Sequence, residues 1–495
     1  MQPTPPDQSV VRYVHRGSIV EAPWFSNTQT LLQHIREDRR MCGTKEGCAE
    51  GDCGACVVVI GEYSATNNSV IYRAVNACIF PLSAIDGRLL ITVEDLSSSD
   101  GALHPVQQAM VECHGSQCGF CTPGFVMSLY EFYLNHRGRV SSSSVHEHLS
   151  GNLCRCTGYA PILRAAEKMY AYPRVDRDRN ADAELLAKLY LINNVHQRVL
   201  RSTSDFAAFP RTVEELADTF LSHPDAILLG GSTDVGLWIT KQRRAIPEVI
   251  HLSRTNGLMD SRVNRDGLVL GAAMRLTDAM SLLLREYPEL RELCSRFASP
   301  PVRNAATLGG NIANGSPIGD SMPALIALGA IVLLRKGDVQ RQMNLENLYL
   351  GYQRKDIEVS EFVQAIRIPV RKSNTFIRAY KVSKRFDDDI SAVCCVLALE
   401  LVNGYCTSAR VAFGGMAATP KRATAVENAL TGRYFDRESI EHAVPALTRD
   451  FAPLSDHRAS SWYRMEVAGN LIRRAIEEHG GAEPTRVGAY PEFNV

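Results

Sequence analysis

Apolar and polar positions change rhythm several times along the chain, and each change marks a candidate element. Residues 57–60 (VVVI) form a short unbroken apolar run. From His104-Pro105 the rhythm becomes helical, with Val106, Ala109, Met110 and Cys113 on one face and Pro105 suited to a first helical position. Thr122-Pro123 starts a second helical stretch, with Phe125, Leu129, Phe132 and Tyr133 along one side. Ser144 to Glu147 reads as a capping box for a third helix. The stretch from about Pro173 to Pro210 is charged and irregular, and reads as an interdomain connection with one helix over 183–191. Residues 226–239 (AILLGGSTDVGLWI) are a strand-like run entering a Gly-Gly-Ser-Thr-Asp turn. Residues 393–401 and 409–413 read as strands and 462–478 as a closing helix. There is no repeat, no low-complexity segment, and no apolar run long enough to span a bilayer.

Composition narrows the class. A chain of 495 residues exceeds what one core supports, so three or four domains are expected. Lys+Arg and Asp+Glu both number 54, so no global field points to nucleic acid or an anionic membrane, and neither is expected as a partner. Residues 1–7 are polar and proline-rich, without the basic and apolar regions of a signal peptide. A cytoplasmic location is the expectation, and there disulfides are a poor explanation for cysteines.

The cysteines are unevenly placed. Ten of the 14 lie in the first 156 residues; Cys294, Cys394, Cys395 and Cys406 sit singly or in apolar surroundings and read as core. Cys48, Cys53 and Cys56 give C-x4-C-x2-C, with Cys78 as a distant fourth thiolate, the plant-type ferredoxin spacing for a [2Fe–2S] cluster. Gly47, Gly51 and Gly54 let the loop wrap closely enough for backbone N–H groups to reach sulfur. A zinc site, the alternative, usually shows paired short spacings. Cys118 and Cys121 (C-x2-C) with Cys154 and Cys156 (C-x-C) form a second quartet at helix ends, again read as a [2Fe–2S] site. Cys42 and Cys113 fit neither spacing.

The Gly-Gly-Ser-Thr-Asp turn offers N–H groups and hydroxyls to an anion such as a pyrophosphate, but it is not G-x-G-x-x-G, so a Rossmann reading fails. A second segment rich in Gly, Asn, Ser and Thr, residues 298–325, raises the prospect of a long dinucleotide.

EGDCGAC, QCGFCTPGF and NLCRCTGY together resemble the iron–sulfur part of the molybdenum hydroxylases, the xanthine dehydrogenase family. The resemblance runs from about Val10 to Tyr172, and both Gly-rich segments continue it from about Phe209 to His479. It implies an α+β multidomain fold: a ferredoxin-like β-grasp domain (8–97), a four-helix [2Fe–2S] domain (98–172), a linker (173–205), an α+β FAD-binding domain of the CO dehydrogenase flavoprotein type (206–373) and a small α/β C-terminal domain (374–482). Carried over, Leu229, Gly230, Gly231, Ser232, Thr233, Asp234, Val235 and Gly236 contact the FAD pyrophosphate. Thr307, Leu308, Gly309, Gly310 and Asn311 contact the cofactor again, Asp320 and Lys381 are further FAD contacts, Val363 takes an apolar contact position, and Phe297 packs near the flavin ring. Arg385 and Asp388 or Asp389 fall where charge influences the flavin and nicotinamide sites, and Gln117 and Cys156 where the family approaches a pterin.

The resemblance implies an electron-transfer subunit in purine (hypoxanthine or xanthine) oxidation, carrying two [2Fe–2S] clusters and FAD with NAD+ as acceptor. No molybdenum site is read in this sequence, so a large molybdopterin-binding subunit is expected as partner, in an (αβ)2 assembly. The rivals are the same role with an aldehyde, N-heterocycle or acyl-CoA substrate, a self-sufficient flavin–ferredoxin reductase, and a zinc-binding module.

Overall fold

The computed structural model describes residues 9–98, 100–136, 138, 141–175, 183–193 and 198–482. The chain divides into two compact units, one reaching to Thr255 and including Ser299–Ala306, the other formed by Asn256–Ala298 and the described residues from Thr307 on.

The first unit opens with a five-stranded sheet in the order Ser18–Pro23, Val10–His15, Leu89–Ile91, Val57–Ser64, Ser69–Asn76. The pairing of Val10–His15 with Leu89–Ile91 is parallel and the others are antiparallel. Val58 and Ile60 pack on the side holding Leu31, Leu32 and Ile35. Val57 and Val59 pack on the opposite side, among Phe125, Leu129 and Phe132. A strand buried on both faces has no polar face to alternate with, which is why its sequence reads as a continuous apolar run. This is the β-grasp arrangement with a helical domain laid on its outer face.

Among the described residues, that helical domain has four α-helices, Pro105–Glu112, Thr122–Asn135, Ser142–Leu149 and Ala160–Lys168. His104 caps the first through its side chain, which accepts from the Val106 amide, and Pro105 takes the first helical position. The third helix corrects the expected capping box: Ser141, not Ser144, is its N-cap, accepting from the Ser144 amide at 3.2 Å. In a run of four serines the cap is the one whose backbone is still extended, and Ser141 has φ −80° and ψ 149°.

The charged connection contains more structure than its composition suggests. Its helix runs Ala183–Asn193, and Arg198–Arg201 is already the edge strand of a four-stranded sheet. That strand pairs antiparallel with Phe206–Phe209; Glu248–His251 and Ile227–Leu229 follow in parallel.

The second unit holds a five-stranded sheet in the order Ser261–Asn264, Gly267–Gly271, Phe362–Ile368, Ile331–Lys336, Val339–Asn344. A further sheet follows, led by Thr375–Val382, Val393–Val402 and Tyr405–Gly414. The helix Ser461–His479 buries Ala468, Leu471, Ile472 and Ala475 in the same core as Val393, Cys395, Leu397 and Cys406. All four late cysteines are buried. Among the described residues, no helix is long and apolar enough to cross a membrane.

Candidate functional site

Cys48, Cys53 and Cys56 lie on the loop that leads into Val57–Ser64, and Cys78 on the turn just after Ser69–Asn76. Because those strands are hydrogen-bonded neighbours, with Val57 opposite Asn76, the fold returns Cys78 to the loop. The thiols meet. Hydrogen bonds from Cys53 and Cys78 hold the Cys48 thiol well below its ordinary range. Cys53 is raised, first as the donor to Cys48 and then by burial. Cys78 is raised as donor to Cys48 and Cys56, and then by burial.

 The backbone serves the same sulfurs, with the Cys53 amide donating to Cys48 Sγ at 3.4 Å. Asn76 is buried beside them; its Nδ2 donates to the Gly51 carbonyl at 2.9 Å and its Oδ1 accepts from Cys56 Sγ at 3.7 Å.

The second quartet sits between helices. Cys121 is the N-cap of Thr122–Asn135, and Cys154 and Cys156 lie on the loop between Ser142–Leu149 and Ala160–Lys168. Here the thiols contact in crossed pairs, Cys121 with Cys154 and Cys118 with Cys156. Burial and donation to Cys154 push Cys121 up to about 12. Burial works against the Cys154 thiolate, yet the Thr157 hydroxyl at 3.1 Å and the Cys121 thiol outweigh it, and Cys154 is lowered. Cys156 is raised, chiefly by its hydrogen bond to Cys118. Gln117, Cys118 and Cys156 are exposed, whereas Cys154 is buried.

Both quartets fit iron–sulfur clusters by the chemistry of their donors: four thiols each, with backbone or hydroxyl donors aimed at sulfur. Among the described residues, no three or more His, Cys, Asp or Glu side chains gather as a single-ion metal site.

The two cysteine loops also touch. The Leu153 amide donates to the Cys53 carbonyl at 3.0 Å, and Asn152 Nδ2 to the Gly54 carbonyl at 3.4 Å. Gly54 has φ +68°, and a Cβ there would lie 2.3 Å from the Gly151 oxygen, so both its conformation and its packing require glycine.

The first Gly-rich segment follows the strand Ile227–Leu229, and Ser232 turns it at φ 65° before the helix Val235–Thr240 begins. From Thr307 on, the second segment belongs to the other unit. Its own amides are largely consumed by the fold: Leu308 donates to Met274, Gly309 to Ala272, Asn311 to the Thr307 carbonyl and Gly310 to the Thr307 hydroxyl. What it can still offer a ligand is Gly310, which is exposed, and the half-buried Asn311. Val363 lies on Phe362–Ile368 opposite Leu334; its neighbour Gln364 accepts from Ala272, the residue whose carbonyl takes the Gly309 amide. Lys381 Nζ and Asp320 Oδ2 are 2.6 Å apart and both side chains are buried, with Ser391 Oγ donating to Asp320 Oδ1 at 2.6 Å. Phe297, Leu308 and Asp320 line one small apolar pocket.

Several residues that organise these sites were not singled out in the sequence. Arg296, buried next to Phe297, donates to the Lys381 carbonyl at 2.9 Å, the Phe386 carbonyl at 3.0 Å and Ser383 Oγ at 3.1 Å, fixing the loop after Lys381. Within that loop the Arg385 amide donates to Asp389 at 2.8 Å, and Asp388 has φ 49°. Asn76, Asn152 and Thr157 belong to the same group. Their only sequence signal is adjacency to a ligand cysteine.

Residues 92–167 match the [2Fe-2S] binding domain, 203–371 the FAD binding domain in molybdopterin dehydrogenase, and 378–479 the CO dehydrogenase flavoprotein C-terminal domain. Fold and matches together define an iron–sulfur flavoprotein, an oxidoreductase in class. The chain belongs to the molybdenum hydroxylase family, as an iron–sulfur and FAD component. It is 32% identical to xanthine dehydrogenase of Drosophila pseudoobscura pseudoobscura over 503 residues, covering 90% of this chain and 37% of that protein. Xanthine dehydrogenase 1 of Arabidopsis thaliana is 29% identical over 490 residues, 85% of this chain and 36% of that one. The chain thus spans little more than a third of the length of these relatives. A solved structure of reconstituted CO dehydrogenase from Oligotropha carboxidovorans aligns at TM-score 0.52 and 28% identity, over 56% of this chain and 98% of that chain.

Proposed function

We propose that this chain is the electron-transfer subunit of a xanthine dehydrogenase, working between a large molybdopterin-binding partner that oxidises hypoxanthine or xanthine and NAD+ as acceptor. When bound, [2Fe–2S] clusters supply one-electron steps and FAD converts them to a two-electron product. The chain's own part is to hold these groups. Cys48, Cys53, Cys56 and Cys78 are the ligands of one cluster, and Cys118, Cys121, Cys154 and Cys156 those of the other. Leu229–Gly236, Phe297, Thr307–Asn311, Asp320, Val363 and Lys381 are the FAD contacts.

The observation that carries the reading is the backbone bond from Leu153 to Cys53, which joins the two cysteine loops without an intervening side chain. A partner is supported by the exposed face around the second quartet, where Phe120, Leu153 and Tyr159 are exposed apolar groups beside Cys118 and Cys156. The likeness to a solved chain that covers about half of this one supports an arrangement in several subunits; the (αβ)2 assembly and the cytoplasmic location are part of the proposal. The domain division is 8–97, 98–172, a linker over 173–205, 206–373 and 374–482. An aldehyde, N-heterocycle or acyl-CoA substrate is the alternative; substrate choice would reside in the partner.

The test is Cys118→Ser in the complex. A serine oxygen is a harder, poorer ligand for this iron, so xanthine-to-NAD+ turnover should fall by orders of magnitude while NADH-to-dye activity persists. Normal turnover in a soluble complex of normal subunit ratio would refute the assignment.

A further inference from the structure

The helix Val235–Thr240, which follows the first Gly-rich segment, grips both halves of the first cysteine quartet. On the Cys78 side, Gly236 lies so close to Ile79 that a Cβ would come within 2.4 Å of the Ile79 oxygen. On the Cys48 side, Thr240 Oγ1 donates to the Ala49 carbonyl at 2.7 Å, and Lys241 Nζ donates to the Cys48 carbonyl at 2.5 Å. Lys241 also pairs with Glu50 at 3.3 Å, both side chains nearly half exposed at 43% and 46%. All these contacts lie within one compact unit.

A cation bound to the carbonyl of a ligand cysteine does more than tie loops together. Reducing the cluster adds one electron and requires no proton, so the site becomes more negative by one charge. A fixed positive charge a few ångströms away favours that form, and a negative charge opposes it. We propose that Lys241 is a positioning residue that raises the reduction potential of the cluster held by Cys48, Cys53, Cys56 and Cys78. Thr240 fixes the distance, and Glu50 moderates the effect. The inference rests on the proposed function, since it requires a [2Fe–2S] cluster at that quartet. It makes the end of the flavin-loop helix the element that sets how readily this cluster accepts an electron.

The experiment is a spectroscopically monitored redox titration of the purified complex, reading each cluster by its own paramagnetic signal. Lys241→Met should shift the one-electron equilibrium of the first cluster toward the oxidised form by about three- to tenfold. Tenfold corresponds to about 59 mV for a one-electron couple. Lys241→Arg should restore the wild-type value, and Glu50→Gln should move it the other way. Thr240→Val, which keeps the charge and loosens the contact, should shift it less than Lys241→Met. The second cluster should not move in any of them. A potential belongs to the loaded fraction alone, so partial cluster loss does not obscure the result. An unchanged first-cluster potential in Lys241→Met, or an equal shift of both clusters, overturns the proposal. Absence of any [2Fe–2S] signal in the wild-type chain overturns the functional reading beneath it instead.

Discussion

Gly124 lies against Gly54 so closely that a Cβ on Gly124 would fall 2.1 Å from the Gly54 oxygen. Gly124 is in the first turn of Thr122–Asn135, three residues after Cys121, while Gly54 directly follows Cys53. The helix bearing one quartet's ligand is thereby seated on the loop bearing the other's, and the Leu153–Cys53 backbone bond closes the same contact.

Gly124→Ala therefore cannot be absorbed by a flexible side chain, because the atom it meets is backbone. The helix and loop must separate, at an overpacking cost of about 1–3 kcal/mol. All eight thiols remain, so iron and sulfide content should hold while magnetic coupling between the two clusters weakens. Denaturant unfolding and the splitting of the paramagnetic signals check the two halves of this expectation. Undiminished coupling would show that the glycine contact does not set the spacing.

Lys381 and Asp320 are a different kind of contact, a buried ion pair completed by Ser391. Removing one partner leaves a buried charge unmatched, which costs about 3–5 kcal/mol, whereas removing both with well-packed neutral residues is far milder. Lys381→Met or Asp320→Ala should lower stability and FAD retention together. The double change Asp320→Asn with Lys381→Met should recover much of the stability but not the FAD. Both iron–sulfur signals should persist in all three, because those ligands lie in the other unit. Thermal unfolding and flavin release on gel filtration make the comparison.

How much could be read in advance depended on whether a site is written in spacing or in long-range contact. The cysteines of each quartet are close in sequence or linked by a hairpin, so Cys48, Cys53, Cys56 and Cys78 were legible as a set. The run at 57–60 was legible as apolar, but not that Val57 and Val59 would face one core while Val58 and Ile60 face another. The serine run hid which hydroxyl caps the third helix, since the choice depends on backbone conformation. The strand Arg198–Arg201 was invisible in a charged stretch because its order comes from pairing with Phe206–Phe209. Arg296 and Lys241 were silent for a related reason: they act on carbonyls 85 and 193 residues away in the chain. The second Gly-rich segment reads like a phosphate loop, yet most of its amides serve the fold.

His251 gives the chain a built-in acid sensitivity. It ends the strand Glu248–His251, stacks on Phe209 at 4.3 Å between ring centroids, and lies 3.1 Å from the Ser83 hydroxyl. It is buried, and burial with the nearby Arg88 and Arg254 lowers its pKa to about 3. Arg254 pairs with the buried Asp86 at 2.9 Å and Arg88 with Glu62 at 2.9 Å, so a proton on His251 would add a further cation beside two arginines already held in place. The sign follows from which state takes the proton. Above about pH 6.5 both folded and unfolded chains hold a neutral imidazole, and the full stability is present. As the pH falls below that, the unfolded chain binds a proton that the folded chain refuses until about pH 3. Stability should therefore fall by about 1 kcal/mol between pH 6.5 and 5.5, and by about 1.4 kcal/mol for each further unit. In His251→Phe the aromatic stack remains and the proton site is gone. That variant should be less stable at neutral pH, because the Ser83 hydroxyl loses its partner, but its stability should decline less steeply with acid. Denaturant midpoints measured at pH 7.5, 6.5 and 5.5 for both proteins decide it: parallel declines would show that His251 is not the group that titrates.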